Sequence, residues 1–298
     1  MKLSIPRICL ITLTCCLVST PMSAEEKPEL AGVPELLAMP EPPADARFPY
    51  GDDPLQFADL RLPEGEGPFP VAVLVHGGCW LAEYDIKHLG AMADDLTRHG
   101  IATWTLEFRR IGNEGGGWPG TFLDVANGAD RLRDIAEDYP LDLDRVVIAG
   151  HSAGGHLALW LAARHKLPPD SPLYLPDPLQ ARGVIGLAPA ADLELTHRNQ
   201  TCSGAAERLV GGTPEEYPLR YQHGSASELL PLGLEQLIIN GAHDEGWLIV
   251  SRAYQEKARA AGEEVPIIVP PDAGHFELVM PTSTTFPVVR EAIVKMAQ

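Results

Sequence analysis

The sequence predicts an α/β domain built on a mostly parallel, doubly wound sheet with helices on both faces. Three observations carry that prediction. Short apolar runs alternate with amphipathic stretches from about residue 55 onward, which is the rhythm of strand–helix–strand units. Runs such as VAVLV (71–75), VVIAG (146–150) and GVIGLAP (183–189) are apolar throughout rather than at alternate positions, as strands covered on both faces require. The 298 residues are 45% apolar and 21% charged, with 28 Gly and 28 Pro. That is too apolar for a disordered polymer, and enough chain for one large, turn-rich domain.

The elements follow in chain order. Lys2 and Arg7 precede an apolar run at 8–18 and a mostly small-residue stretch at 19–24, the layout of a secretory signal cut after Ala24. The run is too short for a membrane anchor. A lipoprotein cut at Cys16 is the weaker alternative, because Cys15 stands where a small residue is expected. The mature protein is therefore expected to be periplasmic or secreted, with no membrane association. Cleavage would remove Cys9, Cys15 and Cys16 and leave Cys79 and Cys202. No Cys/His spacing suits zinc and the ten His are scattered, so no metal site is expected.

Residues 25–54 are Pro-rich and acidic and read as an extended lead without a core of its own. Strands are expected at 57–62, 71–76, 101–107, 145–150, 183–187, 236–240 and 265–269. Helices are expected near 88–98, 122–137, 153–164, 248–261 and 287–296. The stretch 192–231 breaks the rhythm and reads as an irregular excursion over the carboxyl edge of the sheet, where open α/β sheets bind ligands. With 41 acidic against 23 basic residues and no Lys/Arg run, the charge of −18 opposes a phosphate backbone. Nucleic acid is not an expected partner.

The chemistry concentrates in two motifs. Gly150-His151-Ser152-Ala153-Gly154 directly follows a strand run and precedes an Ala/Leu-rich helix. A sharp strand-to-helix turn needs glycines around the serine because the backbones approach closely, and it leaves the serine exposed at the turn. His76-Gly77-Gly78-Cys79-Trp80 closes the strand VAVLV. Its glycines let backbone N–H groups of Gly77 or Gly78, with that of Ala153, turn toward an incoming oxygen as an oxyanion hole. Cys79 is an alternative donor to Gly77.

These motifs, in this order, resemble the α/β-hydrolase superfamily, in the branch carrying HGGxW. That branch holds arylformamidases, bacterial feruloyl-esterase-like hydrolases and relatives of hormone-sensitive lipase. The resemblance covers about residues 55–298 and implies an α/β-hydrolase fold with a triad in the order serine, acid, histidine. The acid is expected after the strand at 236–240, at Asp244, with Glu245 as rival. The histidine is expected after the last strand, at His275 in Asp272-Ala-Gly-His275-Phe. His151 and His156 flank the elbow, too close in the chain to serve as base, and Asp272 reads as the start of the turn.

The resemblance implies a serine hydrolase, exported on the signal layout above, that cleaves small or medium carboxylic esters through an acyl-enzyme on Ser152, with no cofactor. An arylformamidase acting on N-formylkynurenine-like substrates is the alternative, and a peptidase or an inactive binding protein ranks lower. Trp80, Trp118 and His151 are expected around the substrate pocket. Gly115-Gly-Gly-Trp118 lacks the Lys-Ser/Thr of a phosphate loop. In an exported chain, a disulfide between Cys79 and Cys202 would staple the excursion near the site.

Overall fold

The computed structural model describes Met1 and residues 28–298. The expected signal segment beyond Met1, with Cys9, Cys15 and Cys16, lies outside the described residues. Eight strands form one sheet: β1 (Ala46–Pro49), β2 (Phe57–Arg61), β3 (Phe69–Val75), β4 (Ala102–Leu106), β5 (Leu141–His151), β6 (Gly183–Leu187), β7 (Glu235–Ile239) and β8 (Ile267–Ile268). Their spatial order is β1-β2-β4-β3-β5-β6-β7-β8. β2 pairs antiparallel with β1 and β4. Every other pairing is parallel. Ten α-helices accompany them: α1 (Val33–Leu37), α2 (Gly90–Arg98), α3 (Gly120–Asp130), α4 (Leu132–Ile135), α5 (Ala153–Ala163), α6 (Leu193–Arg198), α7 (Ala205–Val210), α8 (Pro218–Gly224), α9 (Glu245–Ala260) and α10 (Phe286–Met296).

The doubly apolar strands explain the two-sided packing. Val71, Val73 and Val75 of β3 and Val146 and Ile148 of β5 enter one core with α3 and α5. The intervening Ala72, Leu74, Val147 and Ala149 enter a second core with Met92 and Leu96 of α2 and Phe286, Val289 and Ile293 of α10. Strand side chains alternate between faces, so an all-apolar strand serves both layers. Each fully buried Val or Leu contributes about 1.5–3 kcal/mol of transfer free energy. Every residue of α5 is buried, as its continuous Ala/Leu composition requires.

Three regions differ from the sequence reading. The last strand shrinks from 265–269 to Ile267–Ile268, because Pro266 and Pro270 have no N–H and take part in the β7 pairing only as acceptors. The lead is no free tether. Its described part forms α1 and the edge strand β1, anchored by Phe48 packing on Trp104 and Tyr139 at 5.9 and 5.6 Å between ring centroids. The excursion 192–231 carries no strand but folds as α6, α7 and α8. Its ends are held where Lys257 meets Asp192 at 2.7 Å and Glu228 at 2.6 Å.

Candidate active site

Ser152 stands between the end of β5 and the start of α5 with φ +59° and ψ −122°. A non-glycine residue reaches that region at a cost of order 1–3 kcal/mol and stays there only when its surroundings hold it. Its N–H donates to Leu187 O at 2.8 Å, and its carbonyl accepts from His156 N–H at 3.1 Å and Ala190 N–H at 3.3 Å. The flanking glycines are sterically required. A Cβ on Gly150 would collide with the Gly154 carbonyl, and one on Gly154 with the carbonyl oxygens of Val75 and His76.

β7 and β8 are parallel neighbours, so the loops at their carboxyl ends lie side by side. His243 N–H donates to Ala273 O at 2.9 Å, and a Cβ on Gly241 would strike the backbone of Ala273 and Gly274. That contact brings His275 Nδ1 to donate to Asp244 Oδ2 at 2.6 Å. Glu245 and Asp272 are exposed, so Asp244 is the carboxylate paired with His275. The His275 carbonyl in turn accepts from His151 Nε2–H at 2.9 Å. Burial, with His275 and His88 nearby, holds the His151 pKa well below its usual value.

The loop after β3 makes a turn of three successive positive φ values: Gly78 (+105°), Cys79 (+51°) and Trp80 (+56°). Leu81 N–H closes it on Gly78 O at 2.9 Å. Among the described residues, the N–H groups of Gly77, Gly78 and Cys79 donate to no backbone acceptor. Ala153 N–H is at the first position of α5, one of the donors that a helix leaves unpaired. Beneath the turn, His76 is fully buried with Nε2 3.3 Å from Glu107 Oε1 and its ring stacked on Phe108. Glu107 also pairs with Arg110 and accepts from the N–H groups of Phe108 and Ile86. Burial alone would raise its pKa. His76, Arg110 and the Phe108 N–H outweigh that and bring it down to about 2.

Ser152 and His275 open onto one cavity of about 200 Å³. Gly78 and Cys79 form one side; Gly77, which precedes Gly78, and Ala153, which follows Ser152, do not line it. Val33, Leu36 and Leu37 of α1 close the top, and Trp247, Phe276, Tyr84 and His88 complete the wall. Cys202 reaches the same cavity through a disulfide to Cys79, with Cα atoms 5.6 Å apart. The expected pocket residues do not line it. Trp80 is 1% exposed and packs edge-on against His156. Trp118 packs on Phe122, and His151 is buried behind His275 at 4.5 Å between ring centroids. Sequence reading missed Trp247, which tilts against His275 at 4.8 Å, although its place three residues after Asp244 was a usable signal. A larger groove of about 410 Å³ near residues 28–35 and 272–284 is lined by neither Ser152 nor His275.

A serine on a strand–elbow–helix turn and a mostly parallel 1-2-4-3-5-6-7-8 sheet define a protein of the α/β-hydrolase fold. Within that class, the BD-FAE family model matches residues 58–247, and the chain belongs to the BD-FAE family. A curated relative, Esterase LipC of Mycobacterium tuberculosis, is 26% identical over 244 residues, covering 78% of this chain and 60% of the relative. This chain thus spans about 60% of that relative's length. Solved structures share the fold. A truncated carbohydrate esterase from gut microbiota superposes with TM-score 0.72 at 21% identity, covering 86% of this chain and 99% of that one. Esterase B from Lactobacillus rhamnosis superposes with TM-score 0.71 at 18% identity, covering 86% and 88%.

Proposed function

We propose that the protein is a serine carboxylic-ester hydrolase acting by acyl transfer on small or medium esters. The observation that carries this reading is the 2.6 Å bond from His275 Nδ1 to Asp244 Oδ2 at the cavity into which the strained Ser152 elbow opens. The bond occupies Nδ1 and leaves Nε2 as the base. His275 takes the Ser152 proton as Oγ attacks the ester carbonyl carbon, and Asp244 stabilises the resulting imidazolium. The N–H groups of Gly78 or Gly77 and of Ala153 hold the tetrahedral oxyanion, with Cys79 as a further donor; losing one such donor costs on the order of 10²–10³ in rate. His275 returns the proton to the leaving alcohol. Water, activated by the same imidazole, then releases the acid. The positive end of α5 favours the developing negative charge.

A cavity of about 200 Å³ walled by Leu36, Trp247 and Phe276 is below the roughly 300–1,000 Å³ of drug-sized sites and suits short acyl chains. The esterase named among the relatives supports the same reaction class. Export to an oxidising compartment is part of the proposal, supported by the Cys79–Cys202 disulfide, since such bonds persist outside the reducing cytosol.

The test is hydrolysis of p-nitrophenyl esters from acetate to laurate beside N-formylkynurenine, with the parent chain and Ser152→Ala. Fast turnover of short esters, lost in the variant together with fluorophosphonate labelling, is the expected result. Activity surviving in Ser152→Ala would remove the nucleophile, and a preference for N-formylkynurenine would replace the ester by an amide substrate.

A further inference from the structure

His88 has no part in the mechanism above, yet it is 4% exposed and lines the Ser152 cavity. A Cβ on Gly77 would stand 3.0 Å from His88 Cε1 and 3.1 Å from Ser152 Cβ, so the two side chains flank the same glycine. The ring is held firmly. It sits on a 3-10 turn (Ile86–Leu89) that Asp85 caps through Lys87 N–H, and Glu107 Oε2 accepts from Ile86 N–H at the start of that turn.

The hydrogen-bond chain behind His88 assigns its protons. The His275 carbonyl can only accept, so His151 Nε2, 2.9 Å away, carries a proton. Burial holds His151 neutral, which leaves its Nδ1 as a lone pair. His88 Nε2, 2.7 Å from that Nδ1, must therefore be the donor. Burial, together with His76 and His275, also holds His88 neutral. Its Nδ1 is then an acceptor with no donor among the described residues. It is not among the fully enclosed unpaired atoms, and the residue that carries it lines the Ser152 cavity. An acceptor held this way inside a mostly apolar wall is costly to leave unpaired when the cavity is filled and dry.

We propose that His88 is a specificity residue that accepts, at Nδ1, a hydrogen bond from a free hydroxyl close to the scissile ester, making hydroxyl-bearing esters the preferred substrate class. This rests on the esterase reading and names the chemistry of its substrate. The hydroxyl has two possible sources, the alcohol or the acyl part, and both meet the same lone pair. A substrate lacking the hydroxyl leaves Nδ1 desolvated and unpaired, whereas a hydroxyl-bearing one replaces the hydrogen bond water made there. Discrimination therefore falls on analogues that swap OH for CH₃.

The experiment compares kcat/KM within two near-isosteric pairs: 2-hydroxyethyl acetate against propyl acetate for the alcohol side, and ethyl glycolate against ethyl propionate for the acyl side. Each ratio is measured in the parent chain, in His88→Phe and His88→Leu, which lack the acceptor, and in His88→Asn, whose amide oxygen stands near the place of Nδ1. Comparing variants cancels the intrinsic reactivity of the esters. The expected result is a hydroxyl preference in one pair that falls about fivefold to tenfold in the Phe and Leu variants and is kept at least in part by Asn. The pair that responds identifies the source. Equal ratios in parent and apolar variants for both pairs would overturn the proposal, as would no turnover of any of the four esters by a protein that cleaves p-nitrophenyl acetate. Failure to cleave p-nitrophenyl acetate or to take a fluorophosphonate label would instead overturn the esterase reading, and this proposal with it.

Discussion

Cys79 and Cys202 are separated by 123 positions in the chain, yet a disulfide joins them and both line the Ser152 cavity. One covalent link therefore ties the positive-φ turn after β3 to the α6–α8 excursion that overhangs it. Closing a loop of that length restricts the unfolded chain by about 4–5 kcal/mol on chain-entropy grounds. Cys79→Ser combined with Cys202→Ser is expected to lose roughly 4 kcal/mol of stability and to slow ester hydrolysis. A urea titration of the double variant measures the first and p-nitrophenyl acetate turnover the second. A stability loss under about 1 kcal/mol would mean that the excursion holds its place without the staple.

The carboxylate assignment separates two adjacent residues. Asp244 is hydrogen-bonded to His275, while Glu245 is exposed on the first turn of α9. Asp244→Asn is expected to lower kcat by roughly 10³–10⁴-fold, because the imidazole loses both its tautomer and its counter-charge. Glu245→Gln should stay within about twofold, as surface changes away from the site usually do. Steady-state kinetics on a short ester checks both, and the reverse pattern would exchange the two roles.

The buried ionisable groups make the fold acid-labile in two windows. His156 has a pKa near 4 because burial disfavours its charged form, a shift only partly offset by the Gly224 carbonyl. Its unfolded-state value is about 6.5. Between those values the unfolded chain binds a proton that the native state refuses, so stability falls by about 1.4 kcal/mol per pH unit for this group alone. Glu107 acts lower, its stabilisation complete above pH about 4.5 and lost as pH falls toward its native value of about 2. Chemical denaturation from pH 7 to 4 should show a declining stability whose slope lessens by about one proton in His156→Gln. An unchanged slope would mean that His156 takes up its proton in the native state as readily as in the unfolded chain.

Leu36 is 4% exposed and forms part of the α1 cover over the cavity. Leu36→Ala is expected to cost about 2–3 kcal/mol, at the low end for buried leucines because one side already borders open space. It should also shift the p-nitrophenyl ester preference toward longer chains. The ester series run on this variant is the check. An unchanged chain-length profile would put the acyl pocket elsewhere.

Much of the fold was legible because it is written in local periodicity. The all-apolar runs at 71–75 and 146–150 announced strands buried on both faces, and the glycines around Ser152 announced the elbow. The meeting of His275 and Asp244 was legible too, since each follows an apolar strand and loops at one sheet edge must gather there. The lead segment misled for a physical reason. Its prolines and acids look like a solvated tether, yet Leu36 and Phe48 are enough to seat α1 and β1 once the sheet is present. Trp80 was expected at the pocket from its place in the HGGCW loop and Trp118 from a Gly-rich loop after the strand ending at Glu107, and packing turned both elsewhere.

The sequence by itself determined the alternating strands and helices of the central sheet, the strained serine turn and the loops after 236–240 and 265–269 that carry Asp244 and His275, because hydrophobic period and glycine placement act within a few residues. Only the tertiary structure decided what faces Ser152. α1, the Tyr84–His88 stretch, Trp247, Phe276 and Cys202 come from five separate stretches of chain. Their convergence depends on how both cores pack around the sheet, on a disulfide, and on a His88–His151–His275 hydrogen-bond chain whose links join residues 63 and 124 positions apart. Interactions between such distant residues leave no local period to read.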